Sequence, residues 1–327
     1  MSAELLAAIA AQLDDDAPRL VYADALTERQ DPRGEFIVLQ CRAAKLAPSD
    51  PLRAELFQRA KELLDANRAA WFPIDPGLDW RFERGFPSAL LKVNLRAFRE
   101  HAAALEQVPT LRTLELHFGT PRHEDLSGLV QLPLLQRLRS LSFNWHAPSS
   151  VILELLTSPW IVNLTRLQFS WEMLPGQVWQ VLGRAESFAR QIPELDLMLA
   201  DATDERVMRL DPAPWPKLRW LRLANGQLGT RGCEVLAQPG LFPALTHLAL
   251  GWNRIGKKGA AMLARSALIH QLEELDLSHC QIGDDGCLEL AAARPRKLRV
   301  LSLTNSRVTE VGLEALRAVL PDALIET

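Results

Sequence analysis

Four successive stretches open with L-x-x-L-x-L and share one pattern to their ends: "LRWLRLANGQLGTRGCEVLA" from Leu218, "LTHLALGWNRIGKKGAAMLA" from Leu245, "LEELDLSHCQIGDDGCLELA" from Leu272 and "LRVLSLTNSRVTEVGLEALR" from Leu298. The starts lie 27, 27 and 26 residues apart. Each unit runs from period-2 alternation through a small or amide residue, an aliphatic residue, a turn pair and a Gly into an amphipathic segment. This is a strand followed by a helix. Such a unit cannot bury its apolar face alone, so units of this kind must stack on one another.

Weaker copies keep the same phase. "LRTLELHF" from Leu111, "LRSLSFNW" from Leu138, "LTRLQFSW" from Leu164 and "IPELDLML" from Ile192 bring the total to about eight units between 111 and 320. "SALLKV" (88–93) predicts a further strand ahead of them, and a helix over 96–107 caps that end. "ALIET" at the close of the chain predicts a last short strand. The unit resembles the leucine-rich repeat, and its length and "xxGxxxLA" helix resemble the ribonuclease-inhibitor-like subclass. The resemblance implies an α/β horseshoe solenoid with a parallel inner sheet and outer helices.

Residues 1–70 read differently. Three short helical patterns, about 3–13, 17–29 and 33–46, precede a helix over 51–70, and Asp14-Asp15-Asp16 with Pro18 marks a helix start. The residues Asp14, Asp15, Asp16, Pro18, Arg19, Leu20, Val21, Tyr22, Ala23, Asp24, Leu26, Glu28 and Arg29, then Glu35, Phe36, Ile37 and Gln40, closely resemble the bacterial repeat-companion domain, a module that precedes repeats. Ala25 stands where that family carries Trp. The expected division is a helical module with its linker helix over 1–70, a joint and capping strand-helix unit over 71–110, and the repeats over 111–327. The charged set Asp15, Asp16, Arg19, Asp24 and Arg29 reads as helix capping and ion pairs ahead of a ligand site.

"GWNRIGKK" (251–258) is close to a phosphate-binding loop, but Lys258 replaces the hydroxyl that would hold Mg²⁺. Its Gly256-Lys257 pair has equivalents in Gly229-Thr230, Gly283-Asp284 and Thr309-Glu310, so the phase of the repeat assigns it to a turn. Asn253 and Cys280 fall where this repeat class turns its chain, and both are expected to be buried.

A net charge of −3 gives no basic field for nucleic acid. No stretch is long enough to span a membrane, and no signal peptide is legible. Four cysteines without CxxC spacing point to reduced thiols in the cytoplasm rather than disulfides or zinc.

In an L-x-x-L-x-L strand the leucines face the core and the alternate residues face the sheet's open side. Those positions include Arg166, Trp220 and Arg222. One step past the strand, Phe118, Trp145, Trp171 and Trp252 form an aromatic rim, with His279 in the next unit. The alternative for the rings is that they cover the core edge of a neighbouring repeat. Catalysis would need converging groups, yet Asp196 and Asp276 stand three units apart, roughly 14 Å at the strand spacing. His247 beside Glu274 reads as a cross-strand ion pair. The expected function is a non-enzymatic scaffold for an unidentified protein partner, without cofactor, metal, nucleic acid or membrane. The competing expectation is a regulator or inhibitor of an enzyme such as a nuclease, a toxin or a small GTPase.

Overall fold

The computed structural model describes the chain except for residues 1, 73, 75–77, 119–131, 145–148, 171–173, 175, 185–187 and 211–212. It divides into two compact units, Met1–His117 with Gln131–Arg139, and Phe118–Val130 with Ser140–Thr327.

The first unit opens with four helices, α1 (Ser2–Ala11), α2 (Ala17–Thr27), α3 (Arg33–Ala44) and α4 (Pro51–Trp71). The start of α2 lies just past the acidic run: the Asp15 carboxylate accepts the Ala17 N–H at 2.9 Å. At α4, Asp50 accepts the Leu52 N–H at 2.9 Å and Pro51 takes the first position, where a missing N–H costs nothing. Ile9, Tyr22, Ala23, Leu26, Ile37, Cys41 and Phe86 form one buried cluster. Phe36, Ala60 and Leu63 form another.

Strand β1 (Asp79–Glu83) pairs antiparallel with β2 (Phe86–Asn94), α5 (Leu95–Glu106) comes next, and β3 (Thr113–His117) lies parallel to β2. The antiparallel β1 corrects the expectation of an all-parallel sheet. Its signal is present in "WRFERGFPSA", where aromatics alternate on either side of an Arg-Gly pair. Arg84 (φ 51°) and Gly85 (φ 85°) make the two-residue turn whose positive angles match the twist of a hairpin. A side chain at Gly85 would stand 2.3 Å from Ile37 Cγ1, so packing against α3 also demands glycine.

The second unit is the repeat solenoid. Its strands are β4 (Ser140–Asn144), β5 (Arg166–Ser170), β6 (Glu194–Asp196), β7 (Trp220–Arg222), β8 (His247–Ala249), β9 (Glu274–Asp276), β10 (Val300–Ser302) and β11 (Leu324–Glu326). They pair in chain order and all in parallel. Between them run α6 (Ser149–Leu156), α7 (Gly176–Gly183), α8 (Asp204–Val207), α9 (Thr230–Leu236), α10 (Gly256–Ala264), α11 (Gly283–Ala293) and α12 (Glu310–Val319). Helices α9 to α12 pack in sequence against one another. Leu221, Leu248, Leu275 and Leu301 stand opposite one another on neighbouring strands and are buried. Each such leucine contributes about 2 kcal/mol by leaving water.

Two devices join successive units. At the expected turn position, Asn253 donates to the carbonyls of Leu223 (2.7 Å) and Leu250 (2.8 Å) and accepts from the Leu228 N–H (3.0 Å). Cys280 Sγ lies 3.1 Å from the Leu250 carbonyl, and Ser306 Oγ donates to that of Leu277 at 2.5 Å, so three residue types fill one role. Asn253 and Cys280 are both buried. The second device is a cap lent across units. Asp204 accepts the N–H groups of Gly229 (2.6 Å) and Gly232 (2.9 Å) at the start of α9, and Asp284 accepts those of Thr309 (2.8 Å) and Gly312 (3.2 Å) at the start of α12.

Candidate functional site

Strands β5 to β9 bring the outward residues into rows. Arg166, Glu194, Trp220, His247 and Glu274 stand opposite one another, and so do Gln168, Asp196, Arg222, Ala249 and Asp276. Of the residues expected to bind a partner, Arg166, Trp220 and Arg222 therefore share one face. The Arg166 guanidinium lies 3.6 Å from the Glu194 carboxylate and 5.8 Å from the centre of the Trp220 ring. A cation over an indole face is attracted by the ring's quadrupole. Arg222 lies 3.9 Å from Asp196.

Asp196 is only 2% exposed although it belongs to an outward row. Burial pushes its carboxyl up from the ordinary range, against the Met198 N–H bond and the charges of Arg222 and Arg166, which pull it down. Its counterpart Asp276 uses Oδ1 to accept the Ser278 N–H at 2.8 Å, and a Cβ at Gly251 would meet Oδ2 at 2.8 Å. Asp276 thus fills the space that a side chain at 251 would take, while the small Ala249 lines a recess beside Trp220, bounded by His247, Glu274 and Asp276. His247 is held by Thr246 Oγ1 at Nδ1 (2.7 Å) and lies 3.6 Å from Glu274 through Nε2. The expected ion-pair geometry is present. Among the described residues no group of three or more His, Cys, Asp or Glu could hold a metal ion.

The rim position divides into several cases. Trp145 and Trp171 lie outside the described residues. Phe118 is only 6% exposed and its ring centroid lies 6.5 Å from that of Phe143, which stacks in turn on Phe169 at 5.1 Å. It belongs to an aromatic column in the core, not to a rim, because the core of these early units is built on Phe where later units use Leu. Trp252 is 57% exposed, stacked on His279 with centroids 3.5 Å apart. His279 Nε2 meets Asn305 Nδ2 at 3.3 Å in the next unit.

One backbone feature underlies this row. Leu199, Asn225, Trp252, His279 and Asn305 occupy equivalent positions and all have positive φ, from 55° to 63°. The conformation is enforced by bonds to the next unit: the N–H groups of Asn225, Trp252 and His279 donate to Gly251, Ser278 and Thr304. Asn and His are enriched in this region, whereas bulky residues such as Leu199 and Trp252 adopt it at a cost. Nothing in the backbone favours Trp at 252.

The same bonds settle the loop that resembles a phosphate cradle. It does lie between a strand, β8, and a helix, α10, but its Trp252, Arg254 and Gly256 N–H groups donate to the carbonyls of Ser278, Leu228 and Cys280. Lys257 Nζ pairs with Asp285 at 2.9 Å. Three of the loop's N–H donors and its lysine are thus engaged within the protein.

A residue the sequence does not single out is Arg190, 2% exposed. It donates to the carbonyls of Arg184 (2.8 Å), Pro214 (3.0 Å), Leu210 (3.3 Å), Gly183 and Ala213, and its guanidinium lies 4.9 Å from the Trp215 ring centre. It satisfies carbonyls where the weak repeat around 183–214 departs from the pattern of its neighbours. No sequence signal marks it, because its partners are backbone.

Residues 243–264 and 270–291 match the family model described as Leucine Rich repeat. No curated protein matches the chain. Among solved structures it is similar to a protein from Bacteroides fragilis (14% identity, 84% of this chain and 83% of that one, TM-score 0.45). It is also similar to the Rad7 and Elc1 complex in yeast (14%, 91% and 82%, 0.30) and to an internalin from Listeria monocytogenes (15%, 69% and 69%, 0.37). At these values the likenesses add nothing to the fold read from the units themselves. With its parallel strands in chain order, its helix in each unit and the match over two of them, this part of the chain is an α/β leucine-rich-repeat solenoid.

Proposed function

We propose that this chain is a non-enzymatic scaffold that holds a protein partner on the open face of β5 to β9 and on the exposed ring of Trp252. The observation that carries this reading is Trp252 itself. A large aromatic stands in solvent, in a backbone conformation that suits Asn, at a cost in strain and solubility that the fold does not require. Trp and Arg are the residue types that most often dominate interfaces, and Arg166, Trp220 and Arg222 supply them on the adjoining face. The region is polar and paired at its edges, as interface rims are.

The finer assignments belong to the same proposal. The 26- to 28-residue unit with its helix supports the ribonuclease-inhibitor-like subclass, and helices α1 to α3 support a companion module ahead of the repeats. Four buried, unpaired cysteines accord with a cytoplasmic protein.

Capture from a cell lysate with wild-type protein, and with the variant Trp220→Ala plus Trp252→Ala, tests the site. A protein retained by the first and lost by the second supports it, provided both melt alike. Retention of the same set by both refutes the site.

A further inference from the structure

The first unit contains a cavity of about 1030 Å³ among α1, the α1–α2 turn, α3, α4 and the β1–β2 hairpin. Its walls carry six arginines: Arg19, Arg53, Arg81, Arg84, Arg112 and Arg139. They outnumber the lining carboxylates, Asp14, Asp15 and Glu83, by three. All three carboxylates are exposed, and one oxygen of Asp15 is already committed to the Ala17 N–H.

The inner arginines are held mainly by neutral acceptors. Arg19, only 3% exposed, donates through Nη1 to the carbonyls of Asp15 (2.6 Å) and Gln12 (3.4 Å), and its Nε has no hydrogen-bond partner. Arg112 donates to the carbonyls of Pro109 (2.7 Å), Leu111 (2.8 Å) and Ala10 (3.2 Å). Arg84 donates to those of Asp14 (2.8 Å) and Leu13 (3.3 Å), with Asp16 3.5 Å away as its carboxylate neighbour. The Nε of Arg53 is buried and unpartnered.

Carbonyls orient a guanidinium without neutralising it. Burying a cation without a counter-charge is costly, and the cost is visible at Arg112, whose pKa is lowered to about 10 by burial and by its neighbours Arg137 and Arg139. A guanidinium offers its donors in a planar fork that matches the two oxygens of a phosphate or carboxylate.

We propose that this cavity is a binding site for a small organic oxyanion, a phosphate- or carboxylate-bearing metabolite, whose negative charge supplies the missing counter-charge. The volume is at the upper end of small-molecule sites, roughly 300 to 1,000 Å³. Phe57, Phe82 and Phe86 add apolar wall for the carbon skeleton. The site is independent of the protein-binding face, and neither reading rests on the other.

Pyrophosphate and citrate serve as probes, one for each oxyanion chemistry, against sodium chloride of matched ionic strength. A ligand bound only by the folded state raises the melting temperature, and at least one of the two is expected to do so. Arg19→Gln removes the buried donor but risks the fold, so the deciding variant is Arg81→Gln with Arg139→Gln, both exposed at the rim. It is expected to melt like wild type without ligand and to bind about tenfold or more weakly, the loss that 1.4 kcal/mol represents. Arg265→Gln, on the second unit and paired with Glu289, is expected to respond as wild type. No shift beyond the chloride control with either probe overturns the site. So does an undiminished response of the rim variant, or an equal loss in Arg265→Gln.

Discussion

The indole of Trp252 lies flat on the imidazole of His279, with ring centroids 3.5 Å apart and planes 14° from parallel. The two residues are equivalents in adjacent units, so the stack reports the register of the solenoid itself. It also fixes which face of the indole is offered to solvent.

Because Asn225 and Asn305 occupy the same left-handed position as Trp252, Trp252→Asn relieves the backbone. The melting temperature is expected to stay level or rise. Binding of a partner that uses the ring should weaken by about 2 kcal/mol, the usual mark of a dominant contact. Parallel differential scanning fluorimetry and titration check the pair of outcomes; a fall in stability with binding intact would make the ring a structural lid.

Asn253→Ala removes the side-chain partner of two buried backbone groups, the Leu223 carbonyl and the Leu228 N–H, and leaves the Leu250 carbonyl with only the Cys280 thiol. A loss of about 2 to 3 kcal/mol in urea unfolding is expected, since an unsatisfied buried polar group costs its full desolvation. At the equivalent position Ser306 reaches one carbonyl with a hydroxyl. Asn253→Ser should therefore recover part of the loss.

The repeats are legible in the sequence because a buried strand and helix force leucines into fixed phase, and that phase predicts the strands from β4 to β11 and the burial of Asn253 and Cys280. The hairpin strand β1 escapes the repeat phase, although Arg84-Gly85 between alternating aromatics is a local signal for it. Phe118 is placed on the rim by its one-residue step past β3, which looks identical in sequence whether the ring turns outward or joins the Phe143 column. The arginine-lined cavity is beyond reach of any window, since its residues run from Arg19 to Arg139 and only the fold assembles them. Asp204 and Asp284 share a repeat position whose capping role shows only when the next unit's helix start is placed beside it.

All four thiols are buried, and burial pushes each of them up to about 12. Since the thiolate is the reactive form, a disulfide reagent at neutral pH should label none of them quickly in the native protein and all of them in urea. Rapid native labelling of Cys280 would show that the unit boundary is drawn in the wrong place.

The cap lent by Asp284 carries a pH dependence. Its carboxyl is held below the usual range, first by the Thr309 N–H and then by the Thr309 hydroxyl, with the Gly312 N–H adding to them. A depressed folded-state pKa means that the stabilisation is fully present above the unfolded pKa and is lost as pH falls through the folded one. Wild type should thus exceed Asp284→Ala in urea midpoint at neutral pH, and the difference should close in acid, below the ordinary carboxylate range. A gap that persists there would assign the effect to packing instead.

Arg190 is a second buried polar residue whose substitution should be costly. Its guanidinium reaches carbonyls of Gly183 and Arg184 at the end of α7, of Leu210, and of Ala213 and Pro214, so one side chain ties three separate segments of a weak unit. Arg190→Met keeps much of the volume and withdraws the guanidinium from those oxygens, of which Leu210 retains the Trp215 indole N–H, for an expected loss of about 3 kcal/mol. Arg190→Lys retains the charge but presents a single ammonium, which cannot span acceptors placed for a planar fork. It should fall between Met and wild type in thermal unfolding. If Arg190→Lys matched wild type, charge alone would hold this segment and the fork geometry would be incidental; if Arg190→Met did, the carbonyls would find water and the unit would be looser than its burial implies.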